Sequence, residues 1–155
     1  MKKVLIIGGT SGIGRGLVDV YLKNGYKVGI VGRRTELLNQ IKSINQNVFI
    51  ETLDVSNTSK SIDVYNSLIS NMNGIDIIIN CSGWGEINKE FNNDIDLKTI
   101  QTNVIGFTQT MNFFIDYFLN KNKGVLVNIS SIGGMRGGEG GKGASRVLGP
   151  AFVSP

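Results

Sequence analysis

The sequence contains no histidine, a single cysteine and only two prolines. Without histidine, a Cys/His zinc site and any triad or dyad with an imidazole base are excluded, and no metal site is expected. Cys81 on its own cannot form an internal disulfide. Long apolar runs are also missing. Residues 4–7 and 77–79 fall far short of the ~20 residues that a membrane span needs. The start, Met1-Lys2-Lys3, resembles the basic opening of a signal peptide, but four apolar residues then run into Gly8-Gly9 and no apolar export core forms. These absences leave an expected soluble, cytoplasmic protein with no membrane partner. The net charge is +4, yet the basic residues are scattered and no run of five occurs, so no nucleic-acid partner is expected. What is present is ample core material: 41% hydrophobic residues in 155, enough for one packed domain. Glycine is abundant, at 21 residues.

Residues 1–131 alternate between two periods. Residues 4–7 are a short continuous apolar run, as in a strand buried on both faces of a parallel sheet. A glycine-rich turn follows, then a predicted helix with Ile13, Leu17, Val20 and Tyr21 on one face and a stop at Gly25. Residues 28–31 read as a second strand, and Thr35 is the expected N-cap of a helix carrying Leu38, Ile41 and Ile44. Residues 48–53 form a third strand, and 56–72 a helix with Ile62, Tyr65, Leu68 and Ile69 inward. Residues 75–79, rich in isoleucine, are a fourth strand. After an irregular polar connection over 82–94, the spacing predicts one long amphipathic helix over 96–120. It carries Leu97, Ile100, Val104, Phe107, Met111, Phe114, Ile115 and Phe118. Residues 125–129 are a fifth strand. This alternation predicts an α/β fold, a doubly wound parallel sheet of Rossmann type in three layers with about five strands.

The turn after the first strand reads Ile7-Gly8-Gly9-Thr10-Ser11-Gly12-Ile13-Gly14. Glycines let the backbone approach a pyrophosphate, and the unpaired amides at a helix start attract its charge. Leu17 stands where the third glycine of G-x-G-x-x-G would fall, so the spacing is G-x-x-x-G-x-G. The second strand ends in Val31-Gly32-Arg33-Arg34. An NAD site puts a carboxylate there for the ribose 2′-hydroxyl. Gly32 supplies none, whereas Arg33 and Arg34 suit phosphate oxygens, so NADP(H) is favoured over NAD(H).

Further motifs follow in order: Leu53-Asp54-Val55, Asn80-Cys81-Ser82-Gly83, Thr102-Asn103-Val104-Ile105-Gly106 and Asn128-Ile129-Ser130-Ser131. With the glycine turn they make five stations in register, and the sequence resembles a short-chain dehydrogenase/reductase. The resemblance implies hydride transfer between NADP(H) and a small carbonyl or alcohol. It implies that Gly8, Gly12, Ile13 and Gly14 approach the cofactor phosphates, with Thr10 and Ser11 in the same turn. Asp54 would contact the adenine, Val55 would follow it in that pocket, and Asn80, Ser82 and Gly83 would pass behind the ribose. Cys81 reads as a small buried filler rather than a nucleophile.

The same resemblance implies that Ser131 polarises the carbonyl and that Asn103 supports a proton-relay water. The family's Tyr-x-x-x-Lys has no counterpart. One register puts Lys142 and Arg146 at its two positions, another puts Arg146 and Pro150 there, and neither supplies a phenol. The last tyrosine is Tyr117. Residues 133–143 hold seven glycines, Gly133, Gly134, Gly137, Gly138, Gly140, Gly141 and Gly143, too many for a stable helix. The expected organisation is a nucleotide-binding domain over 1–131 and a degenerate glycine-rich tail over 132–155. The family's later strands are expected to be missing, as in a truncated or frame-altered chain. A non-catalytic NADP(H)-binding module is the alternative reading. The open edge and apolar helix surface left by the missing part make a homo-oligomer the expected state.

Overall fold

Five strands, β1 (Lys3–Ile7), β2 (Lys27–Gly32), β3 (Val48–Thr52), β4 (Ile77–Asn80) and β5 (Val125–Asn128), make one sheet in the order β3-β2-β1-β4-β5. Every neighbouring pair runs parallel. The computed structural model describes residues 1–86, 88, 90 and 92–131; the glycine tract, Lys142 and Arg146 lie outside the described residues. The helices are α1 (Gly12–Lys23), α2 (Thr35–Ile44), α3 (Thr58–Met72), α4 (Asn93–Ile100) and α5 (Phe107–Lys121). A π-helical segment, Gln101–Gly106, joins the last two.

The run Val4, Leu5, Ile6, Ile7 is fully buried because β1 is central and both of its faces are covered. Side chains alternate across a strand. Val4 and Ile6 therefore join Val18 of α1 and Leu38 of α2 in one core, while Leu5 and Ile7 join Tyr65 and Leu68 of α3 and Phe114 of α5 in the other. Each such side chain contributes roughly 1.5–3 kcal/mol on burial. The three-layer arrangement expected from the sequence is thus present. From β1 the chain steps outward to β2 and β3, then returns to β4 on the other side and continues to β5. That reversal opens a crevice above the carboxyl ends of β1 and β4, where such sheets bind ligands.

Several inward assignments are corrected. In α1, Ile13 and Val20 are exposed and Val18 is the apolar residue that is fully buried. Its partner one turn earlier is Gly14, also buried, so the helix meets the core along the Gly14–Val18 line, with Leu17, Tyr21 and Leu22 flanking it. Ile44, in the last turn of α2, and Ile62 of α3 are exposed as well. In α3 the small Ser61 occupies the inward position beside Tyr65. Thr35 is the first helical residue, and the N-cap is Arg34.

The expected long helix is present as an unbroken helical span over 93–121, and the largest correction concerns its apolar stripe. The π segment adds a residue to the turn, so the apolar stripe begun at Leu97 does not continue into α5. Leu97 and Ile115 face solvent, whereas Met111 and Phe114 are buried. Within the π segment Gly106 lies against the backbone of Val55, and a Cβ there would stand 2.4 Å from the Val55 carbonyl oxygen. This close approach pins the helical layer onto the segment that follows β3.

Candidate functional site

The glycine turn folds back across the sheet end: the Gly8 and Gly9 amides both donate to the Val31 carbonyl, at 2.8 and 3.3 Å. Two glycines here are required by geometry. At Gly14 a Cβ would sit 2.3 Å from the Gly8 carbonyl oxygen, so only glycine lets α1 start this close to the turn. Gly12 has φ +54° and nothing within 4 Å of where a Cβ would stand, so its missing side chain leaves open space at the helix start. The N-cap, Ser11, has extended backbone and makes no side-chain capping bond. The positive end of α1 is therefore left without its own capping oxygen.

The Ser11 hydroxyl is committed elsewhere. One nitrogen of Arg34, Nη2, donates to Ser11 Oγ at 2.6 Å and to Thr10 Oγ1 at 2.8 Å. Since Arg34 is the N-cap of α2, this nitrogen ties together the amino ends of two helices. Arg33 points to the other wall, with Nη1 3.8 Å from Asp54 Oδ2 across a half-exposed pair. The Asp54 Oδ1 accepts from the Ser56 amide at 3.0 Å and the Ser56 hydroxyl at 2.7 Å. Burial pushes this carboxyl upward. The two Ser56 bonds and the charges of Arg33 and Lys98 outweigh it, and the net shift is downward.

Behind the cleft, Asn80 is buried and acts as a hub. Its Nδ2 donates to Asn128 Oδ1 at 2.9 Å, and its Oδ1 accepts from the Ser82 amide at 3.2 Å and the Ser82 hydroxyl at 2.5 Å. One amide therefore locks β5 and the chain leaving β4. Asn103, half-buried on the π segment, clasps the backbone of Trp84: its Oδ1 accepts from the Trp84 amide at 2.8 Å and its Nδ2 donates to the Trp84 carbonyl at 2.7 Å. The Trp84 ring carries Lys98 Nζ 4.4 Å from its centroid. Cys81, expected as a buried filler, is half-buried: it packs against the core and also lines the cleft, and burial pushes its thiol upward.

An open cleft of about 280 Å³ brings most of these residues together. Gly8, Thr10, Ser11, Gly12, Ile13, Gly14, Arg33, Arg34, Asp54, Val55, Ser82 and Gly83 all line it. Asn80 does not; it supports the wall from below. Ser131 is exposed and lies two residues beyond Ile129, which lines the cleft at the β5 end. Gly32 lines the cleft at the strand end where no carboxylate stands, and Thr102 and Leu53 are lining residues to which the sequence pattern gave no site role. Thr102 had a signal, since it opens the Thr102-Asn103-Val104-Ile105-Gly106 motif. Leu53 had none beyond its place before Asp54.

The family model described as short chain dehydrogenase matches residues 2–144. The chain belongs to the short-chain dehydrogenase family. Among curated relatives, 3-oxoacyl-[acyl-carrier-protein] reductase of Chlamydia pneumoniae is 28% identical over 137 residues, covering 84% of this chain and 55% of that protein. The very-long-chain 3-oxoacyl-CoA reductase of Mus musculus is 28% identical over 140 residues, covering 84% of this chain and 45% of that protein. The chain thus spans about half the length of these relatives. Among solved structures, serine dehydrogenase from Escherichia coli superposes with a TM-score of 0.84 at 27% identity, over 97% of this chain and 71% of that one. ElxO with NADP bound superposes with a TM-score of 0.83 at 28% identity, over 96% of this chain and 61% of that one. Among the described residues no helix is long and apolar enough to cross a membrane.

Proposed function

We propose that this short-chain dehydrogenase chain binds NADP(H) in the cleft and belongs to an oxidoreductase acting on a small carbonyl or alcohol. The observation that carries the reading is the Arg34 bridge to Thr10 and Ser11 beside Gly32, where no carboxylate stands. A guanidinium and two hydroxyls at that strand end suit a phosphate, and a carboxylate would repel it. The open space at Gly12, at the uncapped start of α1, fits a diphosphate. Asp54, held ionised by Ser56, fits an amino-group donor such as the adenine edge. Similarity to ElxO with NADP bound is consistent with the same choice of cofactor.

In the proposed arrangement Gly12 and Gly14 admit the diphosphate, Arg34 and Arg33 face the ribose phosphate, and Ser82 and Gly83 form the wall behind the second ribose. The bound cofactor would supply or accept a hydride. Ser131 would donate to the substrate oxygen. Asn103 would act through Trp84, fixing the loop after β4, and a proton-relay role would require it to release that backbone clasp. Proton delivery needs an acid of tuned pKa. No tyrosine follows Tyr117, and an arginine stays protonated at neutral pH. The 155 residues are therefore expected to bind without turning over a carbonyl. The protein is expected to act in the cytoplasm as a homo-oligomer.

Paired titrations with NADPH and NADH test this, read by energy transfer from Trp84, the one tryptophan in the sequence. The expected result is saturable NADPH binding, weaker NADH binding and no carbonyl-dependent oxidation of either. Failure to bind both nucleotides overturns the site assignment; equal affinity for the two overturns the NADP(H) preference.

A further inference from the structure

Gly32 does more than omit a carboxylate. A Cβ built on it would lie 2.7 Å from Thr10 Cγ2, far inside contact distance, whereas Thr10 Oγ1 and Cβ stand 3.4 and 3.6 Å away. The Thr10 methyl thus fills the room that any side chain at position 32 would occupy. Its hydroxyl faces a different task, accepting from Arg34 Nη2 at 2.8 Å. A hydroxyl that accepts from a guanidinium keeps its own proton to donate. Thr10 and Ser11 are therefore turned into donors beside the remaining N–H groups of Arg34, a donor-rich cradle suited to a dianionic phosphate.

We propose that Thr10 is the positioning residue that sets nucleotide selectivity: its hydroxyl holds Arg34 toward a ribose 2′-phosphate, while its methyl excludes the carboxylate that a 2′-hydroxyl would need at position 32. This rests on the NADP(H) reading above. Its two halves are separable by substitution. Valine keeps the methyl and loses the hydroxyl. Serine keeps the hydroxyl and removes the methyl, leaving a Cβ at position 32 only the ordinary contacts at 3.4 and 3.6 Å.

The test is a set of NADPH and NADH titrations on the full chain and four variants. Thr10→Val is expected to lose about tenfold in NADPH affinity, the worth of a hydrogen bond to a charged group, with NADH affinity unchanged. Thr10→Ser is expected to keep the NADPH preference. Gly32→Asp alone is expected to gain no NADH affinity or to fail to fold, whereas Gly32→Asp with Thr10→Ser folds and binds NADH about tenfold more tightly than the unsubstituted chain. A ligand-free arm follows from the same geometry: Gly32→Ala lowers the unfolding midpoint, and Thr10→Ser relieves most of that loss. If Thr10→Val leaves the preference intact, or Gly32→Asp alone gains NADH as well as the double variant does, Thr10 is not the selector. A full chain without NADPH preference would instead sink the reading beneath it, whatever the variants do.

Discussion

Gly12 and Gly14 stand two residues apart in one turn, and the structure separates their roles sharply. Alanine at Gly14 places a methyl 2.3 Å from the Gly8 carbonyl oxygen, a backbone atom that can yield only if the turn opens. Overpacking against an immovable neighbour costs about 1–3 kcal/mol or more, and the cost here falls at the upper end. Alanine at Gly12 meets nothing within 4 Å and suffers only from its φ of +54°. Holding a non-glycine residue in the left-handed region costs about 1 kcal/mol. Denaturant unfolding of the two variants should therefore show a loss at Gly14→Ala two- to threefold that at Gly12→Ala. Binding should invert the ranking by cause. Gly12→Ala folds almost normally yet puts its methyl into the space read as the diphosphate seat, lowering NADPH affinity at least tenfold; Gly12→Val should abolish it. Equal destabilisation by both alanines would refute the packing argument. A well-folded Gly12→Val chain that binds NADPH normally would refute the placement of the phosphates.

Other consequences follow from single contacts. Asn103→Ala removes two hydrogen bonds to the Trp84 backbone, at 2.8 and 2.7 Å, and should shift the emission of that lone tryptophan to the red while costing about 1–3 kcal/mol. Phe114→Ala empties a fully buried site among Tyr65, Phe113 and Tyr117 and should cost about 3–5 kcal/mol by denaturant unfolding. Tyr65 is buried with its hydroxyl 2.7 Å from Thr110 Oγ1, and burial pushes its pKa up to about 12. Because the folded pKa lies above the unfolded value of about 10, its contribution is complete below pH ~10 and fades as pH rises toward 12. Tyr65→Phe should flatten that part of the alkaline stability profile; an unchanged profile would count against the assignment. At the acid end, burial raises the Asp76 carboxyl, but the Lys3 amide and the Lys121 charge outweigh it and hold its pKa low. Asp76→Asn should remove stability that is present above the ordinary carboxylate range and lost as pH falls through the lowered value.

Much of the cleft is legible in the sequence. The glycine turn, the Arg33-Arg34 pair and Leu53-Asp54-Val55 are local strings that sit where strands end, and a parallel sheet gathers all its carboxyl ends on one side. Residues distant in sequence, such as Gly12 and Asp54, therefore line one cleft as a consequence of strand direction. Residues whose role depends on a partner were less legible. Asn80, expected behind the ribose, supports the cleft wall from below through bonds to Asn128 and Ser82, and these depend on the pairing of β4 with β5, which the local string does not contain. Helix faces misled where small residues set the approach. Gly14 and Ser61 hold inward positions that hydrophobic spacing alone assigns to larger neighbours, and Ile13 and Ile62 face solvent as a result.

Hydropathy period and glycine placement alone determined the alternation of strands and helices, the parallel sheet and the turn at its first strand end. These rest on nearest-neighbour sterics and on the need to bury Val4, Leu5, Ile6 and Ile7 on both faces. Tertiary packing decided the rest. The π-helical break at Gln101–Gly106 places Gly106 against the carbonyl of Val55, an atom that periodicity does not see. The two halves of Thr10 acquired their tasks only when β2 brought Gly32 and Arg34 beside it, because contacts between residues some twenty positions apart exist only once the sheet has formed.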